Sequence, residues 1–390
     1  MNRPQLILAR GKEKSLERHH PWIFSGAIHK VIGHPEEGSI VDVIDGEGNW
    51  LCTGHYQNES IMVKVLSFDS PKIDRAFWQE RVHQAVSYRK RFGLLESLET
   101  NVCRLVHAEG DYLPGLVADY YNGVLVLQAH SVGMHNTFDL LVEAFREELG
   151  ENLISVFDKS SSTVPGGSED RYIWGEEPAE WEICENGVKM MINFYEGQKT
   201  GFFVDQRENR DLVGKLAKGK RVLNTFGYTG GFSLAALKGG AEYVETVDIS
   251  KKAVALCLRN VELNFEAANH KGVAADVLQY LDTVADDFDM IILDPPAFAK
   301  NHRSLKQGLK GYRNINQKAI AAIRPGGLLF TFSCSQAVSP EDFQTMVFSA
   351  ANMAGRKVRI VKRLPHAVDH PISIYHPEGE YLKGLLLYIE

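Results

Sequence analysis

The sequence predicts an α/β protein whose C-terminal half is built on a parallel sheet with helices on both faces. After about residue 219, strand-like runs alternate with helical segments, as in KRVLNTF, GGFSLAALKGGA and EYVETVDI. Strands that alternate with helices in this way are typical of parallel sheets. The apolar run in DDFDMIILDPP has the composition of a strand buried inside such a sheet. Ligands of these sheets bind outside the carboxyl ends of the strands.

The N-terminal half has a different pattern. Residues 1–70 contain alternating strands, in GSIVDVIDGEGNWLCTGHY and SIMVKVLSF, and predict a small β-rich domain. Residues 72–92 have helical spacing, Asn122–Gly123 predicts a type I′ hairpin, and FDLLVEAFREELG predicts a helix ending at Gly150. We therefore predict three domains: a β domain at 1–70, a central α+β domain at 71–190, and the alternating α/β domain at 191–390.

Composition excludes several classes of protein. No apolar stretch approaches the ~20 residues that a membrane helix needs, and the N-terminal residues lack the pattern of a signal peptide. The five cysteines are widely scattered, with no CxxC pair or Cys/His cluster. This usage argues against a disulfide framework and against a metal site. We expect a protein of a reducing compartment, the cytoplasm, that binds no metal and no membrane.

Charge is distributed unevenly along the chain. The formal net charge of −7 argues against a protein that coats nucleic acid through its overall charge. Between Asp294 and Glu341, however, no acidic residue occurs. This interval has two explanations: it forms a surface that contacts phosphates, or it is a solvated loop and helix face. Its basic residues are Lys300, Arg303, Lys306, Lys310, Arg313, Lys318 and Arg324.

Two of the candidate ligand-binding features follow the first two strands of the α/β domain. NTFGYTGGFS joins a strand to a helix, and its glycines Gly227, Gly230 and Gly231 allow a tight turn near a ligand, although a purely structural turn explains them equally. Asp248 ends the next strand, where a carboxylate can accept hydrogen bonds from ribose hydroxyls. The alternative for Asp248 is a helix N-cap before SKKAV.

Three further polar side chains follow the next strands. Asp276 is placed to hold an adenine amino group, or is an ordinary loop acid, and Asp294 precedes two prolines that fix a rigid projection. Cys334, in SCSQ, ends the fifth strand. A thiolate there could attack C6 of a pyrimidine and make C5 nucleophilic. Buried packing is the alternative for Cys334, but its position at the ligand edge favours catalysis.

Together, the motifs KTGFFVDQRENR, NTFGYTGGFS, DPPAFAK, SCSQ and DHPISIYHPEGEYLKGL resemble the bacterial 23S ribosomal RNA cytosine-C5 methyltransferases with an N-terminal PUA domain. The resemblance covers nearly the whole chain. It implies a PUA-like RNA-binding domain, a small central α+β domain, and a Rossmann-like class I methyltransferase domain that uses S-adenosyl-L-methionine. The seven-stranded sheet of that fold would end in an antiparallel strand, here YLKGLLLYIE.

The resemblance also implies roles for individual residues. Cys334 matches the nucleophile, Asp294 would bind the N3/N4 edge of a flipped cytosine as well as contact the cofactor, and Phe298 would stack on that base or pack. The basic stretch from Lys300 to Arg313 would contact RNA phosphates. The residues implied to bind the cofactor are Thr200, Phe203, Asp205, Gln206, Arg207, Phe226, Gly227, Tyr228, Gly230, Asp248, Ile249, Asp276 and Val277.

Some questions stay open at this stage. Ala297 stands where many RNA cytosine-C5 methyltransferases have a second cysteine, so the base that removes the C5 proton is unassigned. Two other hypotheses are an rRNA guanine N-methyltransferase with direct attack, and a catalytically silent RNA-binding factor of ribosome assembly. The expected partner is 23S ribosomal RNA. The target nucleotide and the oligomeric state, a homodimer among the alternatives, are undetermined.

Overall fold

The computed structural model describes residues 3–165, 169–299 and 301–390 and forms two compact units. Unit 1 comprises Met1–Cys184, Ile192–Val204 and Val368–Gly379. Unit 2 comprises Glu185–Met191, Asp205–Ala367 and Glu380–Glu390. The chain passes between the units near strands β12 (Trp181–Glu185) and β13 (Val188–Ile192). In the described ranges, no helix has both the length and the apolar character needed to cross a bilayer.

The first sheet of unit 1 confirms the β-rich character predicted for the N-terminal region. Its strands are arranged in the order β2-β6-β5-β4-β1-β3, and alternate side chains of β1 and β4 point into a common apolar core. A short helix, α1 (Lys14–Glu17), follows the first strand. The strands are β1 (Gln5–Leu8), β2 (Trp22–Phe24), β3 (Ile28–Ile32), β4 (Ile40–Ile44), β5 (Trp50–Tyr56) and β6 (Ile61–Ser67).

The second sheet of unit 1 packs against helices. Its order is β11-β10-β9-β8-β7, and the predicted hairpin at Asn122–Gly123 joins β8 to β9. Helix α4 ends before Gly150, as predicted. The strands are β7 (Val102–His107), β8 (Leu116–Tyr121), β9 (Val124–Ala129), β10 (Ser155–Asp158) and β11 (Arg171–Gly175), and the helices are α2 (Arg75–Arg91), α3 (Val132–His135) and α4 (Phe138–Leu149).

Unit 2 contains the α/β sheet predicted for the C-terminal half. Its seven-stranded sheet has the order β16-β15-β14-β17-β18-β20-β19. The strands from β16 to β18 are parallel, and β20 is the predicted antiparallel strand, inserted between β18 and β19. The strands are β14 (Arg221–Thr225), β15 (Tyr243–Asp248), β16 (His270–Ala274), β17 (Met290–Leu293), β18 (Gly327–Ser333), β19 (Val358–Leu364) and β20 (Lys383–Ile389).

Helices cover the sheet of unit 2 and complete two apolar cores. Strand β17 is fully buried, as its apolar run predicted. Helix α9 begins at Leu305, about ten residues before the INQKAIAAI segment that has helical periodicity. The helices are α5 (Arg207–Leu216), α6 (Gly231–Lys238), α7 (Lys251–Asn264), α8 (Val277–Leu281), α9 (Leu305–Ala322) and α10 (Pro340–Ala354).

Candidate active site

The carboxyl ends of the parallel strands bring the predicted residues of unit 2 to one edge of the sheet. Strand β14 pairs with β15 and with β17, and β17 pairs with β18, all in parallel register. The residues that follow these strand ends therefore lie side by side, as is usual for ligand sites of such sheets. They are Phe226 after β14, Asp248 at the end of β15, Asp276 after β16, Asp294 after β17 and Cys334 after β18.

The turn between β14 and α6 has an unusual backbone. Phe226, Tyr228 and Gly230 all have positive φ angles, of 55°, 46° and 91°. A side chain on Gly227 would place a Cβ 2.3 Å from Cγ2 of Thr246, and one on Gly230 would place a Cβ 2.5 Å from the sulfur of Cys257. Packing therefore requires glycine at both positions, and at Gly230 the positive φ angle favours glycine as well.

Asp248 is held by the turn that precedes α6. One oxygen of Asp248 accepts a hydrogen bond from the Tyr228 amide at 3.0 Å, and the other accepts from the Ser250 amide at 2.8 Å. The N-cap of α7 is Ser250, so the alternative role of Asp248 as the cap is wrong. Beside it, the Ile249 side chain is 73% exposed. The edge thus presents a carboxylate next to an apolar surface.

Asp276 has a structural role as well as a favourable position. Its side chain caps α8 by accepting a hydrogen bond from the Gln279 amide at 3.0 Å, which stabilises the helix start. The side chain remains half-buried at the strand end. Val277 is 3% exposed and belongs to the core, so only its backbone is placed to meet a ligand.

Asp294 lies among other acidic and amide groups. Gln206 donates to it through Nε2 at 3.1 Å, and Asn209 orients that amide by donating to its Oε1 at 2.6 Å. Asp205 accepts a hydrogen bond from the Tyr381 hydroxyl on one oxygen, at 2.6 Å. Its other oxygen is buried and has no hydrogen-bond partner among the described residues. The site therefore has an excess of acceptors.

The electrostatic surroundings favour the neutral form of Asp294. Burial, followed by the negative charge of Asp205, raises the pKa of the Asp294 carboxyl to about 7. The hydrogen bond from Gln206 and the charge of Arg210 act in the opposite direction but do not outweigh burial. At neutral pH, Asp294 is therefore divided between its protonated and ionised forms and can donate or accept a proton.

Cys334 follows β18 and faces the Pro-Pro motif. It is half-buried, and its sulfur lies 3.8 Å from the carbonyl oxygen of Pro295. The next residue, Ser335, is held by the Tyr312 hydroxyl of α9 at 2.7 Å and accepts from the Ala299 amide at 3.1 Å. These contacts fix the thiol close to the segment that carries Asp294.

Phe298 packs on α9. Its ring centroid lies 4.7 Å from that of Tyr312, and a Cβ on Gly311 would be 3.0 Å from its ring. The side chain is half-buried. The packing role that the sequence left open for Phe298 is thus present, while stacking on a base stays a prediction.

The basic interval divides into two groups. Arg303, Lys306 and Lys310 are exposed, Arg313 is half-buried, and none of these four has an ion pair within the part of the chain described. Lys306, Lys310 and Arg313 lie on one face of α9 because their spacing matches successive helical turns. Lys318 and Arg324, by contrast, pair with Asp282 and Asp289. Lys300 lies outside the described residues.

Some residues of the TGFFVDQR segment have defined partners within a unit. In unit 1, Thr200 is buried, donates to Asp119 at 2.6 Å and contacts the Tyr121 hydroxyl at 2.8 Å; Phe203 is half-buried. In unit 2, Arg207 is buried and its guanidinium lies 3.3 Å from Glu208. The structure therefore joins Asp205 and Gln206 to the surroundings of Asp294, and places Thr200 and Phe203 in the other unit.

The sequence did not reveal Lys383, which lies at the start of β20. It is 5% exposed, and β20 pairs Lys383 with Ser333, the residue before Cys334. A lysine in the otherwise apolar run LKGLLLYIE is a weak signal, and only the cross-strand register shows which residue it meets. No cluster of His, Cys, Asp or Glu suited to a metal ion occurs in the described ranges.

Comparison with protein families identifies two segments. Residues 161–377 match the S-adenosylmethionine-dependent methyltransferase family, and residues 6–68 match a PUA-like domain. "Ribosomal RNA large subunit methyltransferase I" of Tolumonas auensis is 41% identical over 394 residues, covering 98% of each chain. The protein of the same name from Escherichia coli K12 is 39% identical, covering 97% of this chain and 98% of its own.

Solved structures resemble the whole chain. A putative SAM-dependent methyltransferase from Streptococcus mutans aligns with a TM-score of 0.84 at 23% identity, covering 98% of this chain and 99% of its own. A putative methyltransferase complexed with SAH aligns with the same TM-score at 24% identity and the same coverage. At this level of identity the likeness shows the fold, which is the predicted Rossmann-like methyltransferase fold preceded by a PUA-like domain.

Proposed function

This chain belongs to the S-adenosylmethionine-dependent methyltransferase family, and we propose that it transfers a methyl group to C5 of a cytosine in 23S ribosomal RNA. The observation that carries the proposal is the placement of Cys334 and Asp294 at adjacent strand ends. Covalent attack on a pyrimidine needs a thiol as nucleophile and a nearby group that can donate a proton, and a carboxyl with a pKa raised to about 7 can be that donor.

The residues at the β14, β15 and β16 ends fit S-adenosyl-L-methionine. Asp248 would accept from the ribose hydroxyls, Ile249 would offer an apolar surface to the adenine, and Asp276 would lie at the adenine edge. The buried acceptor of Asp205 suits the donor-bearing methionine end of the cofactor or the base amino group. When bound, the cofactor supplies an electrophilic methyl group. Phe226, Gly227, Tyr228 and Gly230 form the turn against which it would lie.

Asp294 would bind the cytosine and polarise it. In its protonated form it donates to N3 of a flipped base, which makes C6 more electrophilic. Gln206 and Asn209 hold the carboxyl in place while it does so. Asp294 thus serves as the general acid in this proposal.

Cys334 would then form the covalent bond. Its thiolate attacks C6 of the cytosine, and the electron pair of the C5–C6 double bond makes C5 the nucleophile that accepts the methyl group. Loss of the C5 proton to a base, cleavage of the carbon–sulfur bond and return of the N3 proton to Asp294 release the product and restore the thiolate and the protonated acid. Ala297 gives no second thiol for this last stage.

The exposed basic residues of the α9 region would contact the RNA. Arg303, Lys306, Lys310 and Arg313 form no ion pair with any described residue, so their charges are available to phosphates without breaking such a contact. The PUA-like domain at residues 6–68 supplies a second RNA-binding region. With ribosomal RNA as the partner, the protein would work in the cytoplasm. Sedimentation of the purified chain distinguishes a monomer from a homodimer.

Mass mapping of 23S ribosomal RNA tests the proposal. A strain that lacks the gene should lose one 5-methylcytosine, and the wild-type gene should restore it. We expect Cys334→Ala to restore nothing while S-adenosylmethionine binding persists, because the thiol is needed for chemistry only. Disappearance of a methylguanine instead would support direct attack, and an unchanged map together with tight RNA binding would support a silent assembly factor.

A further inference from the structure

Lys383 is a buried charged group in the surroundings of Cys334. Its ammonium donates to the carbonyl of Ser335 at 2.6 Å and to that of Tyr381 at 2.7 Å. Two of its three hydrogens are thereby directed at carbonyls that lie at the same end of the strand pair, one just after β18 and one just before β20. Burial of an ammonium group costs free energy of folding. Its position next to the proposed nucleophile therefore suggests a functional role.

The backbone pairing fixes this placement. Antiparallel pairing of β18 and β20 sets Lys383 opposite Ser333, and the Ser335 carbonyl that anchors its ammonium follows Cys334 directly. Cys334 is thus bracketed by the two residues that Lys383 meets. The third hydrogen of the ammonium has no hydrogen-bond partner among the described residues, and the lysine interacts electrostatically with Cys334.

We propose that Lys383 is a positioning residue for the methyl transfer, whose ammonium holds Cys334 in the thiolate form. This inference rests on the proposed role of Cys334 as the nucleophile. A positive charge beside a cysteine favours the thiolate over the thiol, and the thiolate is the reactive form. Ionisation of the thiol releases its proton to solvent, and the negative charge that remains on sulfur is balanced by the lysine.

Other titratable groups around this pair are compatible with the proposal. Tyr312 faces Cys334 from α9, Glu380 precedes β20, and Asp294 lies at the neighbouring strand end. Burial lowers the pKa of Lys383 to about 8, although Cys334 and Glu380 act to raise it. Lys383 therefore keeps most of its positive charge at neutral pH and loses it above about pH 8.

The pH dependence of alkylation measures this effect without RNA or methyl transfer. Wild-type protein is treated with iodoacetamide between pH 5.5 and 9.5, and peptides containing Cys334 and Cys184 are quantified by mass spectrometry. Cys184 is the half-buried reference in the same molecule. We expect Cys334 to reach half-maximal reactivity at a lower pH than Cys184. If the pH of half-maximal alkylation of Cys334 equals or exceeds that of Cys184, the proposal is wrong. This comparison uses the wild-type protein alone and does not depend on whether any variant folds.

Variants then assign the effect to the charge. Lys383→Met should slow alkylation of Cys334 about tenfold at pH 7 and move its midpoint upward, whereas Lys383→Arg should retain the wild-type profile. Lys362→Met, which removes an exposed lysine from β19, is the matched control. A folded Lys383→Met protein with an unchanged profile would contradict the inference. If the wild type has this profile but methylates no RNA, the proposed function fails and the inference about the thiol stands.

Discussion

Two enclosed aspartates, one in each unit, differ in the hydrogen-bond donors and charges that surround their carboxyl groups. Asp119 of unit 1 is fully buried and receives two hydrogen bonds from Arg104, at 2.8 and 2.9 Å, and one from Thr200. Asp294 of unit 2 has one amide donor and a second carboxylate nearby. The charge of Asp119 is balanced by its hydrogen-bond partners. Asp294 has fewer donors, so it is stabilised by taking up a proton or by accepting a further hydrogen bond.

This difference separates a structural acid from a reactive one. Burial alone does not mark a functional carboxylate, because Asp119 is the more deeply buried of the two. What marks Asp294 is that, among the residues the structure describes, it has no cationic hydrogen-bond partner in an enclosed place, which stabilises the neutral acid. The comparison predicts opposite consequences for the same substitution in the two units.

The largest expected effect is on catalysis by Asp294→Asn. The amide cannot transfer a proton to the base, so we expect methylation of ribosomal RNA to slow about a hundredfold or more. Folding stability should not fall, and should rise above neutral pH, because the amide has the same shape and carries no charge to bury. Single-turnover methylation, with urea unfolding as the stability control, measures both. Near wild-type turnover would show that Asp294 has no part in the chemistry.

Asp119→Asn should have the reverse effect. It leaves the half-buried Arg104 without its carboxylate in an ion pair whose acid is fully buried, and removing one partner of a buried ion pair costs about 3–5 kcal/mol of folding stability. Urea unfolding of the full chain is the measurement, with Asp294→Asn as the matched variant. A loss smaller than that of Asp294→Asn would remove the distinction between the two sites.

The pH dependence of stability should also distinguish the two acids. Because the pKa of Asp294 is raised in the folded protein to about 7, its ionisation opposes folding as pH rises above the unfolded value near 4. The loss of folding stability caused by ionisation of Asp294 is absent at pH 3 and reaches its full value above pH 7. Asp294→Asn should therefore gain stability at pH 8, on the order of 3 kcal/mol, and nothing at pH 3. An equal change at both pH values would contradict this linkage.

The smallest expected effects concern single basic residues of α9. Lys310→Gln should weaken RNA binding a few-fold and lower its salt dependence, because an exposed lysine contributes one phosphate contact. Lys318→Gln is the matched control, since Lys318 is already paired with Asp282. Filter binding at several salt concentrations measures both variants. Equal losses would show that the distinction between paired and unpaired cations does not govern RNA contact.

The sequence was sufficient to predict the elements that carry the site. The ends of the five strands from β14 to β18 were visible from apolar runs followed closely by a glycine, an acid or a cysteine. Parallel order then brings Asp248, Asp276, Asp294 and Cys334 to one edge. Local sequence patterns are sufficient here because strands that alternate with helices form a parallel sheet. In a parallel sheet all strands end at the same edge, so the residues that follow the strands lie together.

Other features depended on contacts distant in sequence. The early start of α9 was missed because Gly308 and Gly311 lower helix propensity. In the folded chain, Gly308 packs so closely on Ala299 that a Cβ there would be 2.6 Å away from that residue's own Cβ. Lys383 was missed because its neighbour is set by the order of β18 and β20. Tertiary packing decided both cases.

Covalent trapping tests the central claim most directly. Purified protein is incubated with S-adenosylmethionine and 23S ribosomal RNA in which cytosine is replaced by 5-fluorocytosine, whose C5 fluorine cannot leave as a proton. We expect a denaturant-resistant protein–RNA complex with its link at Cys334, and no complex with Cys334→Ala. Methyl transfer to the natural RNA by Cys334→Ala, with no complex formed by the wild type, would contradict the covalent mechanism.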